Sequence, residues 1–312
     1  MRICSLLPSS TEIAFALGLG DSICGVSHEC DFPSEARQKR VVVHSRLPVG
    51  ASSSEIDRLV REFTERGESI YSVDAEALRE IDPDIILTQE LCHVCAASPD
   101  DLAAALNGLP RMPQIISLNP HTLEDVWDDV RTVGAATGRV SEAEKLVREC
   151  ESRISEVVKV VEPLAQRAGR PRVDCLEWID PPYCGGHWVP EMVSLAGGRD
   201  VLGTEGKPSF RIDWQQVADA KPEVILISPC GFDCEQASAE FARLELPAIW
   251  AELPAVRAGR VFAVDANSYL SRPGPRLAEG IAILARAIHP ELKIAIPEGS
   301  LHALPQISRV SA

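Results

Sequence analysis

The feature that most constrains the fold is a short pattern that occurs twice, far apart in the chain. Residues 82–89 read DPDIILTQ and residues 221–228 read KPEVILIS. A helical pattern preceded by an aspartate leads into each copy, and the proline ends that helix just before a buried-type apolar strand. A solenoid would repeat at a much shorter period, so the two copies predict two similar α/β lobes.

The first thirty residues have the order of a β-α-β unit. The apolar run Met1–Leu7 ends at Pro8, and Ser9 with Glu12 forms an S-x-x-E capping box for a helix. Glycines then end this helix, and residues 23–26 form a second short strand. Because two strands joined by a crossover helix pair in parallel, the sheets are predicted to be mainly parallel.

A long helical stretch lies between the two copies. Residues 123–137 are helical in pattern, Gly138 interrupts them, and Ser141 with Glu144 makes a second S-x-x-E box. Apolar residues then follow at helical spacing over about 25 residues, a rod of roughly 37 Å. The predicted divisions are residues 1–122 for an N-terminal α/β lobe, 123–168 for linker helices, 169–290 for a C-terminal α/β lobe and 291–312 for an irregular tail.

The net charge and the lengths of the apolar runs indicate which partners the protein does not bind and in which compartment it lies. With 31 Lys and Arg against 46 Asp and Glu, the formal net charge is −15, so we expect no nucleic-acid binding. No apolar run approaches the roughly 18 residues of a membrane span, so we expect no membrane insertion. The N-terminal apolar patch is too short for a secretory signal, which predicts a cytoplasmic protein, or a periplasmic one if the true start lies upstream.

Cysteines and histidines are concentrated in the loops that follow the predicted strands. In open α/β sheets, ligands bind beyond the carboxyl ends of the strands. Six of the 10 cysteines lie there: Cys30, Cys92, Cys95, Cys184, Cys230 and Cys234. Thiolates together with imidazoles favour a soft metal centre, such as zinc or an iron–sulfur cluster, or thiol chemistry. The alternative is that they are small buried loop residues, and their spacing matches no standard zinc ribbon or ferredoxin motif.

His187 is the strongest candidate among the histidines. Gly185 and Gly186 precede it and Trp188 follows it, which indicates a tight loop that approaches a ligand. Trp188, Trp178 and Tyr269 could form an apolar wall for a large flat ligand, with core packing as the alternative for Trp178. The sequence contains no nucleophile elbow, Walker A loop or dinucleotide fingerprint.

Several longer segments resemble one protein family in order and spacing. They are SLLPSSTEIAFALGLGDSICGVSHECDFP at the start, LAGGRDVL in the second half and YLSRPGPRLAEGI near the end. Over residues 1–290 the chain resembles the vitamin B12-binding members of the iron-siderophore/B12 substrate-binding family, which feed ABC importers. The resemblance implies two Rossmann-like α/β lobes joined by one long rigid helix, with cobalamin or a related corrinoid held in a cleft between the lobes.

The resemblance also implies a set of ligand-binding residues. By position they are Ser27, His28, Gln89, His93, Tyr183, His187, Trp188 and Tyr269. Because cobalt accepts nitrogen and sulfur ligands, the candidate upper ligands are the histidines of this set or a cleft thiolate.

The resemblance implies an ABC importer as partner and a monomer without catalytic activity. Exported members dock on the transporter through a glutamate on each lobe; Glu76 lies near one such position, and Ser271 stands at the other. Two alternatives stay open. One is a cytoplasmic metal- or thiol-dependent corrinoid-processing or redox protein that uses the cleft cysteines. The other is a structural or regulatory protein that kept the fold and lost the ligand.

Overall fold

The computed structural model describes residues 1–89, 99–305 and 310–311, and the chain divides into two compact units. The first unit comprises residues 1–120 and 124–147, and the second comprises 121–123 and 148–312. The boundary falls inside the longest helix, so the helices predicted as a separate linker are shared between the units. The predicted interlobe cleft stays a prediction.

The described residues form a mixture of strands and helices. The strands are β1 (Ile3–Ser5), β2 (Ile23–Ser27), β3 (Arg40–Ser45), β4 (Tyr71–Val73), β5 (Ile85–Thr88), β6 (Gln114–Ser117), β7 (Arg172–Ile179), β8 (Pro182–Cys184), β9 (Arg199–Asp200), β10 (Val224–Ile227), β11 (Leu246–Pro247), β12 (Val261–Val264), β13 (Leu301–Ala303) and β14 (Val310–Ser311). The α-helices are α1 (Pro8–Ala16), α2 (Ser53–Glu65), α3 (Ala75–Ile81), α4 (Pro99–Leu106), α5 (Leu123–Thr137), α6 (Val140–Ala168), α7 (Val189–Leu195), α8 (Trp214–Ala220), α9 (Cys234–Phe241), α10 (Pro254–Arg257), α11 (Ala266–Tyr269) and α12 (Leu277–Ile288).

Each unit is built around a mainly parallel sheet. The first sheet has the strand order β4-β3-β2-β1-β5-β6, in which only β4 pairs antiparallel. The second has the order β13-β12-β10-β7-β8, with the outer strands β8 and β13 antiparallel and β9 added to β7. The predicted α/β class with mainly parallel sheets is confirmed.

The repeated pattern has the same backbone in both units. Asp74 and Asp213 accept hydrogen bonds from the first turns of α3 and α8, and both helices are seven residues long. Each ends in a left-handed residue, Asp82 at φ +46° and Lys221 at φ +49°, just before the proline. The strands β5 and β10 that follow are fully buried, as apolar runs in parallel sheets are.

Several predicted helix boundaries are confirmed. The predicted helix 123–137 matches α5, and Gly138 after it has φ +72°. The long helix α6 ends at Ala168, just before Gly169 at φ +82°. In both places the glycine supplies the left-handed conformation with which helices commonly end.

Both predicted capping boxes are wrong. The helix α1 begins at Pro8, so Ser9 lies inside its first turn, and Leu7 at the N-cap has no side-chain hydrogen bond. Proline at the first helical position needs no donor partner, which lets the helix start one residue early. Ser141 likewise lies inside α6, because that helix begins at Val140.

The predicted irregular tail is wrong at β13. This strand pairs antiparallel with β12, and Leu304 after it joins the apolar core of the second unit. An edge strand of three residues takes its hydrogen bonds from its neighbour and leaves no periodic signal in the sequence.

Within the described ranges, no helix combines the length and the apolar character that crossing a bilayer requires.

Candidate ligand-binding site

One glycine shapes the loop between β8 and α7 in the second unit. A Cβ on Gly186 would lie 2.2 Å from the backbone nitrogen of Ser209, so a larger residue does not fit. His187 follows at φ +53°, a left-handed conformation uncommon outside glycine. Its N–H donates to the carbonyl of Lys207 (2.6 Å), and its carbonyl accepts from the N–H of Gly206 (2.9 Å). The backbone that presents the His187 side chain is therefore held on both sides.

The His187 imidazole packs against two other rings. Its centroid lies 5.6 Å from that of Trp188, at an interplanar angle of 29°, and 5.5 Å from that of His121. Burial, followed by the neighbouring His121, lowers the pKa of His187 below its usual value. The ring is therefore mainly neutral at pH 7 and offers an aromatic face instead of a cation.

A hydrogen bond joins this loop to the segment after β12. The indole N–H of Trp188 donates to the carbonyl of Leu270 (2.8 Å), and only 5% of Trp188 is exposed. Trp188 thus supports the loop more than it offers a surface. Tyr269, the next residue back, is half-buried, and the guanidinium of Arg276 lies 5.5 Å from its ring centroid. Burial raises the pKa of Tyr269, so its phenol stays neutral.

The loop after β10 contacts both the end of β7 and the segment after β12. The N–H of Cys230 donates to the carbonyl of Glu177 (3.0 Å), and the N–H of Asn267 donates to the carbonyl of Phe232 (3.0 Å). The Phe232 ring meets Trp178 edge-on at 5.6 Å. The end of β7 and the segments that follow β10 and β12 are therefore tied together at the edge where parallel strands present ligand-binding loops.

The aromatic residues of these segments form what we call the aromatic strand-end surface. Its members are Trp178, Tyr183, His187, Phe232 and Tyr269, and the buried Trp188 supports it through its contact with the His187 ring. The side chain of Glu177 fixes part of it, because the Oε2 atom accepts a hydrogen bond from the N–H of Gly186 (2.9 Å). Phe232, Glu177 and the contact of His187 with His121 were not predicted from the sequence. A glutamate near the end of a buried strand is the one signal that could have pointed to Glu177.

His28 occupies the corresponding strand end in the first unit, after β2. Its N–H donates to the carbonyl of Val43 (3.0 Å), and its ring centroid lies 5.9 Å from that of Tyr71. The predicted ligand residues Ser27 and Gln89 are both buried, and the Ser27 hydroxyl accepts from the N–H of Glu29 (3.3 Å). Ser27 therefore shapes the loop, while His28 keeps a partly exposed ring.

A group of buried hydroxyls lies at the start of α1 in the same unit. The hydroxyl of Thr11 donates to Ser5 Oγ (2.7 Å), and the hydroxyls of Ser5 and Ser10 lie 2.6 Å apart. The sulfur of Cys30 is 3.1 Å from Thr11 Oγ1. Cys30 is thus a packed member of a polar group that satisfies its own hydrogen bonds.

The cysteines predicted as metal ligands do not form a cluster in the described part of the chain. The thiols of Cys184 and Cys234 donate to the carbonyls of Phe210 (3.6 Å) and Ala263 (3.2 Å), and both cysteines are buried. Burial raises the pKa of Cys184 to about 11 and that of Cys234 to about 12, so both are neutral thiols. Cys230 is exposed.

No group of three or more potential metal ligands occurs among the described residues, so a zinc or iron–sulfur centre is not supported there. Cys92, Cys95 and His93 lie outside the described residues.

The comparison with known proteins now assigns the family. The sequence profile of the family described as periplasmic binding protein matches residues 3–268. This chain belongs to the periplasmic binding protein family. The resemblance expected over residues 1–290 is thereby confirmed at the level of the family for the matched residues.

Individual relatives agree with this assignment. A vitamin B12-binding protein of Vibrio cholerae is 25% identical over 287 residues, which cover 90% of this chain and 86% of that protein. An uncharacterised ABC transporter substrate-binding lipoprotein of Bacillus subtilis is 23% identical over 93% of this chain and 80% of that protein. The solved structure of a periplasmic heme-binding protein of Pseudomonas aeruginosa has a TM-score of 0.69 at 20% identity and covers 100% of this chain and 98% of that one.

By their names the relatives are binding proteins, and the one from Bacillus subtilis is the substrate-binding lipoprotein of an ABC transporter. The corrinoid-processing enzyme considered as an alternative is therefore set aside. The chain is a substrate-binding protein of the periplasmic binding protein family; the relative from Vibrio cholerae is named for vitamin B12, and the structural neighbour from Pseudomonas aeruginosa is named for heme.

Proposed function

We propose that this protein binds cobalamin or a closely related corrinoid and delivers it to an ABC importer. The observation that carries the proposal is the similarity to vitamin B12-binding proteins along 90% of the chain. The aromatic strand-end surface supports it, because a corrin is a large flat ring that gains affinity from aromatic and apolar contacts. The neutral state of His187 favours the same class of ligand, since a cation there would add a desolvation cost.

Heme is the second candidate ligand. The similarity in fold to a heme-binding protein supports it, and so does the shared chemistry of the two ligands, each a flat ring with a metal at its centre. The aromatic strand-end surface suits both rings equally well. A hydroxamate siderophore, by contrast, is a flexible polar chelate that makes less use of aromatic side chains.

Titration of the purified full chain with aquocobalamin, hemin and a ferric hydroxamate tests the proposal. Quenching of tryptophan fluorescence is a suitable signal, because Trp178 belongs to the aromatic strand-end surface and Trp188 packs against the ring of His187. We expect saturable binding of aquocobalamin with one ligand per chain. Saturation by hemin alone would replace corrinoid by heme as the ligand, and no saturation by either ring would overturn the proposal.

A matched pair of variants assigns the binding to this surface. Tyr269→Ala removes a half-buried ring of the aromatic strand-end surface and should weaken cobalamin binding by roughly tenfold. Val160→Ala shortens a side chain on α6 that is 46% exposed and should leave the affinity unchanged. Equal affinities for the two variants would place the ligand elsewhere.

Delivery to an importer is the remaining part of the proposal. Glu76, which the resemblance places near a transporter-docking position, is exposed in the first turn of α3, where a partner can reach it. Uptake of labelled cobalamin by cells that carry Glu76→Ala should fall if this glutamate docks. The location stays a prediction with two alternatives, cytoplasmic and periplasmic. Because an importer takes up its substrate from outside the cytoplasm, delivery requires the periplasmic alternative. Cell fractionation decides between the two, and a purely cytoplasmic protein would contradict delivery.

A further inference from the structure

The two described histidines among the predicted ligands differ in one property that decides metal binding. A histidine that binds a metal through one ring nitrogen almost always donates the proton of the other nitrogen to an oxygen acceptor. In His28 the Nδ1 atom lies 3.2 Å from the carbonyl oxygen of Val43. Because a carbonyl can only accept, Nδ1 carries the proton, and the Nε2 atom of the neutral ring keeps a lone pair.

The His28 ring is also fixed in orientation. Its backbone N–H donates to the same Val43 carbonyl, Ser27 Oγ lies 3.4 Å from Nδ1, and the ring packs against Tyr71. The Nε2 atom makes no hydrogen bond to any described residue; Glu29 Oε1 lies 3.8 Å away, beyond hydrogen-bond distance. The side chain is 29% exposed, so a ligand can approach Nε2.

His187 lacks this arrangement. Its Nδ1 atom is buried and has no hydrogen-bond partner within the described ranges. A metal on Nε2 would leave the Nδ1 proton without an acceptor in a dry environment, which is unfavourable. His187 is therefore suited to stacking against a ring and not to coordination. His93 lies outside the described residues and enters only as a control.

We infer that His28 Nε2 binds the cobalt of the bound corrinoid in its upper axial position. This inference rests on the proposed function. In the step, the lone pair of Nε2 forms a bond to Co(III), the bound water leaves, and no electron is transferred. The protein then selects corrinoids whose upper ligand exchanges, such as aquocobalamin, over those whose upper position is closed by a carbon–cobalt bond, such as methylcobalamin.

Visible absorbance and calorimetry on three variants test this. Wild-type protein, His187→Gln and His93→Gln should each shift the corrin bands of aquocobalamin on binding. His28→Gln should bind it without the shift and roughly tenfold or more weaker. Methylcobalamin should bind wild type and His28→Gln equally and without a shift, which also shows that His28→Gln is folded. A shift that survives in His28→Gln would overturn the inference, whereas failure of wild type to bind either corrinoid would overturn the proposed function itself.

Electron paramagnetic resonance identifies the bound atom. Cob(II)inamide lacks the nucleotide base, so an axial nitrogen can come only from the protein. Wild type should split the cobalt lines into triplets from one ¹⁴N, and labelling the histidines with ¹⁵N should turn the triplets into doublets. His28→Gln should remove the splitting. Triplets in His28→Gln that disappear in His187→Gln or His93→Gln would assign the ligand to that other histidine and contradict the inference.

Discussion

The two copies of the repeated pattern, residues 74–89 and 213–228, agree closely up to the end of their strand and differ after it. In both, the turn carries an acid, Asp84 or Glu223, whose carboxylate accepts the N–H of the arginine that precedes or begins the neighbouring strand (2.6 Å from Arg2, 2.9 Å from Arg172). These bonds tie the start of each repeated strand to the start of its neighbour. The turns are therefore the part in which the two copies agree most closely.

Beyond the strand the two copies diverge. Their sequences differ from this point on, although Gln89 and its counterpart Ser228 are both buried. In the second copy the chain then turns at Pro229 and exposes Cys230, whereas residues 90–98 lie outside the described part of the chain. The neighbouring strands also differ at one equivalent position. Cys4 in β1 pairs with Ile86 of the first copy, and Asp174 in β7 pairs with Ile225 of the second copy. The loops that we propose to bind the ligand begin where the sequences of the copies differ. Four pairs of substitutions, in the copies and in the strands beside them, test how far the two copies are equivalent.

The largest effect is expected from the buried strands, where the copies should behave alike. Leu87→Ala and Leu226→Ala each remove a side chain that is 0% exposed, so each should lower the free energy of unfolding by about 2 to 5 kcal/mol. Urea unfolding followed by circular dichroism measures this. Ile115→Ala, at a position 43% exposed in β6, is the control and should cost less. If only one of the two leucine variants lowered the free energy of unfolding by less than about 1 kcal/mol, the two strands would not be equivalent in the core.

The next effect concerns Asp174 in β7, the strand beside the second copy; the equivalent position beside the first copy is Cys4. Asp174 is 0% exposed and neither carboxylate oxygen has a hydrogen-bond partner among the described residues. Burial, followed by the charge of Asp200, raises the pKa of Asp174 well above its usual value of 3.8. The folded protein therefore keeps a proton that the unfolded chain releases, and the free energy of unfolding falls as pH rises above about 4.

Asp174→Asn should remove that dependence. Relative to wild type it should gain stability as pH rises, by roughly 1 to 3 kcal/mol at pH 8. Asp200→Asn is the matched variant: burial raises the pKa of Asp200 only to about 6, so its effect should develop between about pH 4 and pH 6 and then level off. Urea unfolding at several pH values measures the free energy of unfolding of wild type and of both variants. Parallel curves for wild type and Asp174→Asn would show that Asp174 ionises normally.

A smaller effect is expected at the helix N-caps. Asp74→Ala and Asp213→Ala each remove an acceptor for a first-turn N–H and should cost about 1 kcal/mol. The cost should be greater at Asp213, because its cap is reciprocal: the Gln216 side chain also accepts from the Asp213 N–H (2.8 Å). Thermal unfolding compares the two. Replacement by Asn should restore most of the loss, and a failure of Asn to do so would argue against capping.

The smallest effect concerns the left-handed residues. Lys221→Gly should stabilise the protein by about 0.5 to 1 kcal/mol, because glycine adopts positive φ without steric cost. Asp82→Gly should gain less, since it also loses the contacts of the Asp82 carboxylate with Arg2 and Arg111. High salt should narrow the difference. If both substitutions destabilise the protein equally, glycine does not relieve a steric cost at these two left-handed residues, and the prediction is wrong.

Much of the fold could be predicted because its signals are local. The apolar runs that became β5 and β10, the glycines after α5 and α6, and the aspartates before α3 and α8 each act within a few residues. The start of α1 was misplaced because a proline at the first helical position and a serine cap give similar signals. The strand β13 was missed because its pairing with β12 comes from residues distant in sequence.

The candidate site was less predictable for the same reason. His187 was found from the two glycines before it, but its contact with His121 and the support of Gly186 by Glu177 join segments far apart in the chain. The acceptor that sets His28 apart from His187 is a backbone carbonyl of β3, which no side-chain pattern reports. The cysteine clustering in the loops did not translate into a metal site, because at least three of those thiols are packed against the protein's own groups.

Hydrogen–deuterium exchange with and without saturating aquocobalamin tests most directly the claim that the strand ends bind a corrinoid and the turns do not. The account predicts slower exchange in residues 27–30, 183–188 and 228–232 when the ligand is bound. It predicts unchanged exchange in the turns at 82–84 and 221–223. Protection confined to the turns, or no protection in any of the strand-end loops, would contradict it.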